Sequence, residues 1–166
     1  MTTNAFAITR RRIVGGALAA AAFPFAVRGQ DGRDPASQEP TDARIKITFN
    51  GLSMTATLYD NPSARDLASM LPLKLRIEDF GSNEKIVHLP RKLTENGSGP
   101  FGNERPGDLC YFKPWGNRAL FYDDYRWDGL IRLGRFHGGF EPLIVRGAYP
   151  VSIERIESST TPSQKD

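Results

Sequence analysis

The chain has 166 residues, of which 39% are hydrophobic and 25% charged, so its length and composition indicate one globular domain. Its formal net charge is +3, but four of its 22 basic residues and none of its acidic residues precede Gln30. Without residues 1–29, 18 basic residues face 19 acidic ones, a net charge of −1. The remaining chain has no overall basic field to hold nucleic acid, which we therefore exclude as a partner.

The N-terminal segment has the pattern of an export signal. Three arginines precede an uncharged run over residues 13–27 that is rich in alanine and glycine. This run is too short and too weakly apolar for a membrane span, which needs about 20 apolar residues. It suits a signal peptide, and TRRRIV resembles a twin-arginine signal with Arg10 and Arg11 as the pair. An uncleaved amphipathic helix is the alternative, although the segment lacks a polar face.

These features divide the chain into four parts. We predict a twin-arginine-type signal peptide over residues 1–29 and a flexible linker over 30–43, which has almost no large apolar residue. A single domain follows over 44–157, and residues 158–166 form a disordered tail. The protein is then periplasmic or secreted, with no stable membrane span after the signal is removed.

The predicted domain begins with a β-hairpin. Apolar and polar residues alternate over 45–49 and again over 54–58, and Asn50 and Gly51 between them tolerate the positive φ angles of a tight turn.

A helix follows in NPSARDLASMLP. Asn61 is suited to the N-cap and Pro62 to the first helical position, while Leu67, Met70 and Leu71 form one apolar stripe.

The rest of the domain is predicted to be mostly strands. Alternating or continuous apolar runs indicate strands at residues 73–80, 84–90, 108–112, 118–122, 129–136 and 151–156. GFEPLIVRG indicates one short helical turn before the last strand. About eight short strands with one convincing helix favour a closed antiparallel barrel or a sandwich.

The stretch GDLCYFKPWGNRALFY is unusually aromatic. Its two strands carry apolar residues on both faces, which predicts burial on both sides, with the helix covering the outer side. Trp115 lies in the turn between them, and Tyr125 and Trp127 lie in the next loop. We predict that these rings form a binding site at the barrel mouth, since tryptophan is common at binding hot spots. The alternative is a tryptophan that plugs the end of the barrel.

Motifs for catalysis, metals and cofactors are not found. Cys110 is the single cysteine, which excludes an intrachain disulfide and predicts a packed, inert thiol. The two histidines, His88 and His137, lack metal-ligand spacing, although they would form a metal site if they met Glu84 or Glu141 in space. The glycines of GSGPFG lie in a predicted loop and not between a strand and a helix, so we predict no dinucleotide. No catalytic residue, metal or cofactor is assigned.

Four segments together resemble the bacterial cyclophilin-like proteins. LYDNPSARDLASMLP, EKIVHLPRKL, PGDLCYFKPWGNRALFYDD and LIRLGR occur in this order over about residues 44–156. The resemblance implies a closed eight-stranded antiparallel barrel with one capping helix. True cyclophilins isomerise X–Pro bonds with an arginine of a Phe-His-Arg motif beside an apolar proline pocket. Here Arg135, Phe136 and His137 have those residue types in another order and place, so no catalytic position is transferred.

These observations predict an exported cyclophilin-like protein that binds a small molecule or a proline-containing peptide without catalysis. The predicted binding residues are Trp115, Tyr125, Trp127 and Arg118. The alternative is a peptidyl-prolyl isomerase with Arg118 or Arg135 as the donor, because isomerisation needs only a proline pocket and a group that weakens the amide double bond. Whether the protein is an enzyme, and its oligomeric state, are left open by the sequence.

Overall fold

The computed structural model describes residues 37–96, 99 and 101–157. The predicted signal peptide, residues 30–36 of the predicted linker and the predicted tail lie outside the described residues. Among the described residues, no helix has the length and hydrophobicity that crossing a membrane requires.

Eight strands and one α-helix make up the described domain. The strands are β1 (Pro40–Phe49), β2 (Leu52–Tyr59), β3 (Leu73–Phe80), β4 (Glu84–His88), β5 (Asp108–Phe112), β6 (Asn117–Phe121), β7 (Leu130–Phe136) and β8 (Tyr149–Ile156). The helix α1 spans Pro62–Ser69, and a 3₁₀ turn spans Glu141–Ile144. Neighbouring strands are antiparallel and close into one barrel in the order β1-β2-β7-β5-β6-β4-β3-β8. The predicted barrel with one helix and one short helical turn is confirmed.

The hairpin of β1 and β2 forms at the predicted turn. Asn50 and Gly51 have φ angles of 49° and 72°, as a tight two-residue connection requires. β1 begins at Pro40, inside the predicted linker, because the Thr41 hydroxyl donates to the carbonyl of Leu58 at 2.8 Å and fixes this segment on β2.

Helix α1 begins at the predicted cap. The side-chain oxygen of Asn61 accepts a hydrogen bond from the backbone N–H of Ala64 at 2.9 Å, and its side-chain nitrogen donates to the carbonyl of Arg132 on β7 at 3.0 Å. Leu67 of the helix is fully buried in the barrel core. The cap therefore joins the helix to β7 as well as starting it.

Strands β5 and β6 are buried on both faces, as predicted. Leu109 and Leu120 face the barrel core, whereas Cys110, Ala119 and Phe121 form a second apolar cluster on the outer face. The expectation that the helix covers this outer face is wrong. Loop side chains, including Phe101 and Tyr125, pack against it, since α1 packs against β2 and β7 instead.

Candidate functional site

The outer face of the barrel carries a recess of about 160 Å³ that is lined from strands β3, β4, β5, β6 and β7 and from two loops. An apolar cavity of about 150 Å³ is large enough to bind benzene. The lining combines five aromatic rings, three aliphatic side chains, one carboxyl and one carboxamide: Phe80, Phe112, Trp115, Phe121, Trp127, Ile86, Ala119, Leu130, Glu84 and Asn117. We call this recess the aromatic pocket.

Strand register explains why these residues meet. Phe80 on β3 pairs with Glu84 on β4, and Glu84 pairs in turn with Phe121 on β6. One step further along the same strands, Ile86 pairs with Ala119. Because directly opposed residues of antiparallel strands share a face, this register places a carboxyl group between two aromatic rings.

The two tryptophans of the chain both line the pocket. Trp115 meets Phe80 and Phe112 edge to face, with ring centroids 5.2 Å and 5.4 Å apart, an arrangement that aromatic pairs favour. The side chains of Trp115 and Trp127 nevertheless remain 57% and 54% exposed. The indoles are therefore held at the rim of the pocket with much of their apolar surface facing solvent.

Glu84 is the ionisable residue of the lining. It is only 5% exposed, and its carboxyl group has no hydrogen bond or ion pair with any residue the structure describes. Burial raises the pKa of Glu84 to about 7, because the apolar surroundings penalise the charged form. The pocket thus contains a carboxyl group that changes charge near neutral pH.

Asn117 adds a second polar side chain to the pocket. The residue is 2% exposed, and its side-chain oxygen Oδ1 has no hydrogen-bond partner among the described residues. Buried polar atoms of folded proteins are usually paired. An unpaired acceptor in the lining is therefore available to a donor on a ligand.

Tyr125 supports the pocket from behind. Its ring stacks on Phe121, with centroids 3.6 Å apart and planes 8° apart, and its hydroxyl donates to Asp108 at 2.6 Å. Asp108 is fully buried and also pairs with Arg132 at 2.9 Å and Arg135 at 2.6 Å. This network holds Phe121 in place, and Tyr125 itself is not part of the lining.

Cys110 lies in the same outer cluster as Phe121 and Tyr125. Burial raises the pKa of its thiol to about 12, so the thiol stays protonated at neutral pH. The prediction of a packed, inert cysteine agrees with this environment.

The predicted binding residues separate in the structure. Trp115 and Trp127 come together at the pocket, whereas Arg118 points to the opposite face of β6, into the barrel. Its core-facing neighbours are Val87 and Tyr111, and its guanidinium has no hydrogen-bond partner among the described residues. Burial lowers the pKa of Arg118 to about 9. Arg118 is thus not placed to touch a ligand in the pocket.

The two histidines do not meet Glu84 or Glu141. His88 lies 3.6 Å from Glu78, and His137 shares a hydrogen bond with Thr57. Among the described residues, no group of three potential metal-binding side chains converges.

Sequence reasoning missed Phe80, Glu84, Phe112 and Asn117 as site residues. Each reads as an ordinary strand residue or strand end. Their convergence depends on the pairing of β4 with both β3 and β6, and β6 is separated from β4 by a long loop and β5. No local signal distinguished Glu84, because it stands beside Lys85 at the charged start of β4 (Glu84–His88).

Comparisons with known proteins agree with the fold. A family model described as "Cyclophilin-like family" matches residues 47–154. The chain is also similar to the solution structure of a hypothetical protein from Archaeoglobus fulgidus. That likeness has a TM-score of 0.58 and 20% sequence identity, and it covers 72% of this chain and 97% of the other. A search of curated proteins finds no match.

Proposed function

Since the chain belongs to the cyclophilin-like family, we propose that its barrel is a non-catalytic binding module. Its aromatic pocket takes an apolar group of a small molecule. Family membership supports the barrel alone, because one fold hosts many functions, so the proposal depends on the pocket.

The observation that carries this proposal is the placement of both tryptophans around a benzene-sized recess. Ligand sites are typically concave, mostly apolar and supplied with a few polar groups. The pocket meets this description with five rings, one carboxyl and one carboxamide. A tryptophan that merely plugged the barrel end would contact the barrel core, whereas Trp115 contacts Phe80 and Phe112 on the outer face.

The arginines support binding over prolyl isomerisation. An isomerase needs a donor beside the proline pocket, and the sequence offered Arg118 and Arg135 for this role. Arg118 faces the barrel core. Arg135 is engaged by Asp108 at 2.6 Å and by the carbonyl of Pro106 at 2.8 Å, and neither arginine lines the pocket.

Tryptophan fluorescence tests the proposal directly, because both tryptophans lie at the pocket. We expect benzyl alcohol, an apolar probe of suitable size, to change the emission of the full chain in a saturable way. Phe80→Ala removes one wall and should weaken binding at least tenfold. Leu52→Ala, at an exposed apolar residue outside the pocket lining, should bind as the unaltered chain does.

Three outcomes would overturn the proposal. The first is a saturable response that Phe80→Ala leaves unchanged, and the second is no response to benzyl alcohol at all. The third is catalysis: if the full chain accelerated the proline-limited refolding of a substrate protein well above background, the isomerase alternative would replace the binding module. The same fluorescence titration with N-acetylproline methylamide compares the affinity of the pocket for a proline group with its affinity for benzyl alcohol.

A further inference from the structure

We propose that the aromatic pocket selects a substituted ammonium cation, a nitrogen that carries apolar groups, with Glu84 as its counter-charge. This inference rests on the proposed function and specifies its ligand class. The juxtaposition that carries it is a buried, unpaired carboxyl group among five aromatic rings.

The carboxyl group of Glu84 lacks a cation in the free protein. Its neighbour along β4, Lys85, faces the barrel interior and pairs with Asp79 at 2.6 Å. A buried carboxylate needs a partner or must take up a proton. A ligand cation that enters the pocket supplies the missing partner and replaces that proton.

The rings favour the same kind of ligand. Faces of tryptophan and phenylalanine rings attract cations, and such aromatic cages recognise quaternary ammonium groups. Phe80 and Phe121 flank Glu84 directly across the sheet, and the two indoles stand at the rim. A substituted ammonium presents charge to the carboxylate and methyl groups to the rings, whereas a simple ammonium would have to lose a strong hydration shell.

Other charged groups on this side of the barrel do not supply the missing cation. Glu78 and His88, further along β3 and β4, are 3.6 Å from each other. Cys110 and Tyr125 stand behind the pocket, and burial raises the pKa of both, so they are neutral. The neighbouring depression is lined by two bases and two acids, Lys113, Arg126, Glu104 and Asp128. The pocket's own charge therefore comes from Glu84.

A matched pair of probes isolates the charge. Choline and 3,3-dimethylbutan-1-ol have nearly the same shape, but only choline carries the positive nitrogen. In the tryptophan fluorescence titration of the full chain at pH 8, we expect choline to bind at least tenfold more tightly than the alcohol. At pH 5.5, where Glu84 is protonated, the preference should fall severalfold.

Two variants assign the preference to its residue. Glu84→Gln should remove the preference for choline and leave the binding of 3,3-dimethylbutan-1-ol unchanged. Glu78→Gln, a carboxyl group on the same outer face but outside the pocket lining, should keep the preference. Nα-acetyl-trimethyllysine amide in the same assay distinguishes the two sources of this head group, because it mimics a modified protein side chain and choline is a free solute.

Failure of this inference is distinct from failure of the proposed function. Equal binding of choline and its neutral isostere would overturn the inference and leave a neutral binding pocket. A choline preference that survives in Glu84→Gln would also overturn it. If benzyl alcohol gives no response, the proposed function is overturned, and the inference that rests on it fails as well.

Discussion

Two consecutive residues of β4, Glu84 and Lys85, carry opposite charges into opposite faces of the barrel. Lys85 is fully buried but paired, since it donates to Asp79 at 2.6 Å and to the carbonyl of Gly147 at 3.3 Å. Glu84 is nearly as buried and has no partner among the described residues. Because side chains alternate along a strand, the paired Lys85 faces the barrel interior, whereas the unpaired Glu84 faces the pocket and is left for a ligand.

This difference predicts how stability depends on pH. The pKa of Glu84 is about 7 in the folded protein, against an ordinary value of 4.5. Between these values the folded state binds more protons than the unfolded state. The contribution of protonated Glu84 to the free energy of unfolding is therefore fully present below about pH 4.5 and is lost as the pH rises through 7. At pH 8 its ionised form costs at most about 3 kcal/mol.

Glu84→Gln removes this dependence. We expect urea unfolding to show that the variant becomes more stable relative to the unaltered chain as the pH rises. The difference in the free energy of unfolding should increase by up to about 3 kcal/mol from pH 5 to pH 8. Glu154→Gln, at an exposed position of β8, serves as the control and should show no comparable gain. A stability difference between Glu84→Gln and the unaltered chain that is the same at both pH values would contradict this assignment.

Among single residues, the site residues that lie in turns were easier to predict from the sequence than those that lie in strands. Trp115 and Trp127 are large apolar residues in polar loops, so residue type and position alone mark them as candidates. Arg118 also attracted attention, but its orientation depends on which face of β6 points inward. That orientation follows from pairing with Val87 and Tyr111, which no local pattern specifies.

At the scale of elements, the contact between β2 and β7 leaves no room for a side chain at one point. Gly134 pairs with Leu58, and a Cβ atom added to Gly134 would lie 2.2 Å from the carbonyl oxygen of Thr57. The obstacle is backbone, which cannot rotate away as a side chain can. The β2–β7 pairing, which helps close the barrel, therefore depends on this glycine.

Gly134→Ala tests that dependence. Because the strands must separate to admit the methyl group, we expect a loss of about 3 kcal/mol or more in the free energy of unfolding. Gly102→Ala is the matched control: a Cβ there meets nothing within 4 Å, so its effect should stay within about 0.5 kcal/mol. Urea unfolding of both variants measures the difference, and equal stabilities would show that β2 and β7 adjust freely.

The elements themselves were largely predictable where their signals are local. The Asn50-Gly51 turn and the Asn61 cap use side chains and φ angles that act within a few residues. Local signals did not show which side chains pack against the outer face of β5 and β6. They are loop side chains such as Tyr125, whose partner Asp108 lies 17 residues away, and not those of the helix.

At the scale of the whole molecule, the barrel presents an inner and an outer surface, and the pocket belongs to the outer one. The pattern of apolar residues predicted about eight strands, and the family resemblance predicted that they close into a barrel. The sheet order was not readable from alternation, because β4 pairs with β6 and β2 with β7 across long stretches of chain. Since that order assembles Phe80, Glu84 and Phe121, the fold was easier to predict than the site.

We propose above that ligands bind on the outer face of the barrel, in the pocket that both tryptophans line. The most direct test is nuclear magnetic resonance of the ¹⁵N-labelled full chain titrated with benzyl alcohol. We predict that both indole N–H signals and the amide signals of β4 and β6 shift together, while those of β1 and β8 stay in place. Stationary indole signals, or shifts centred on β1 and β8, would contradict the claim.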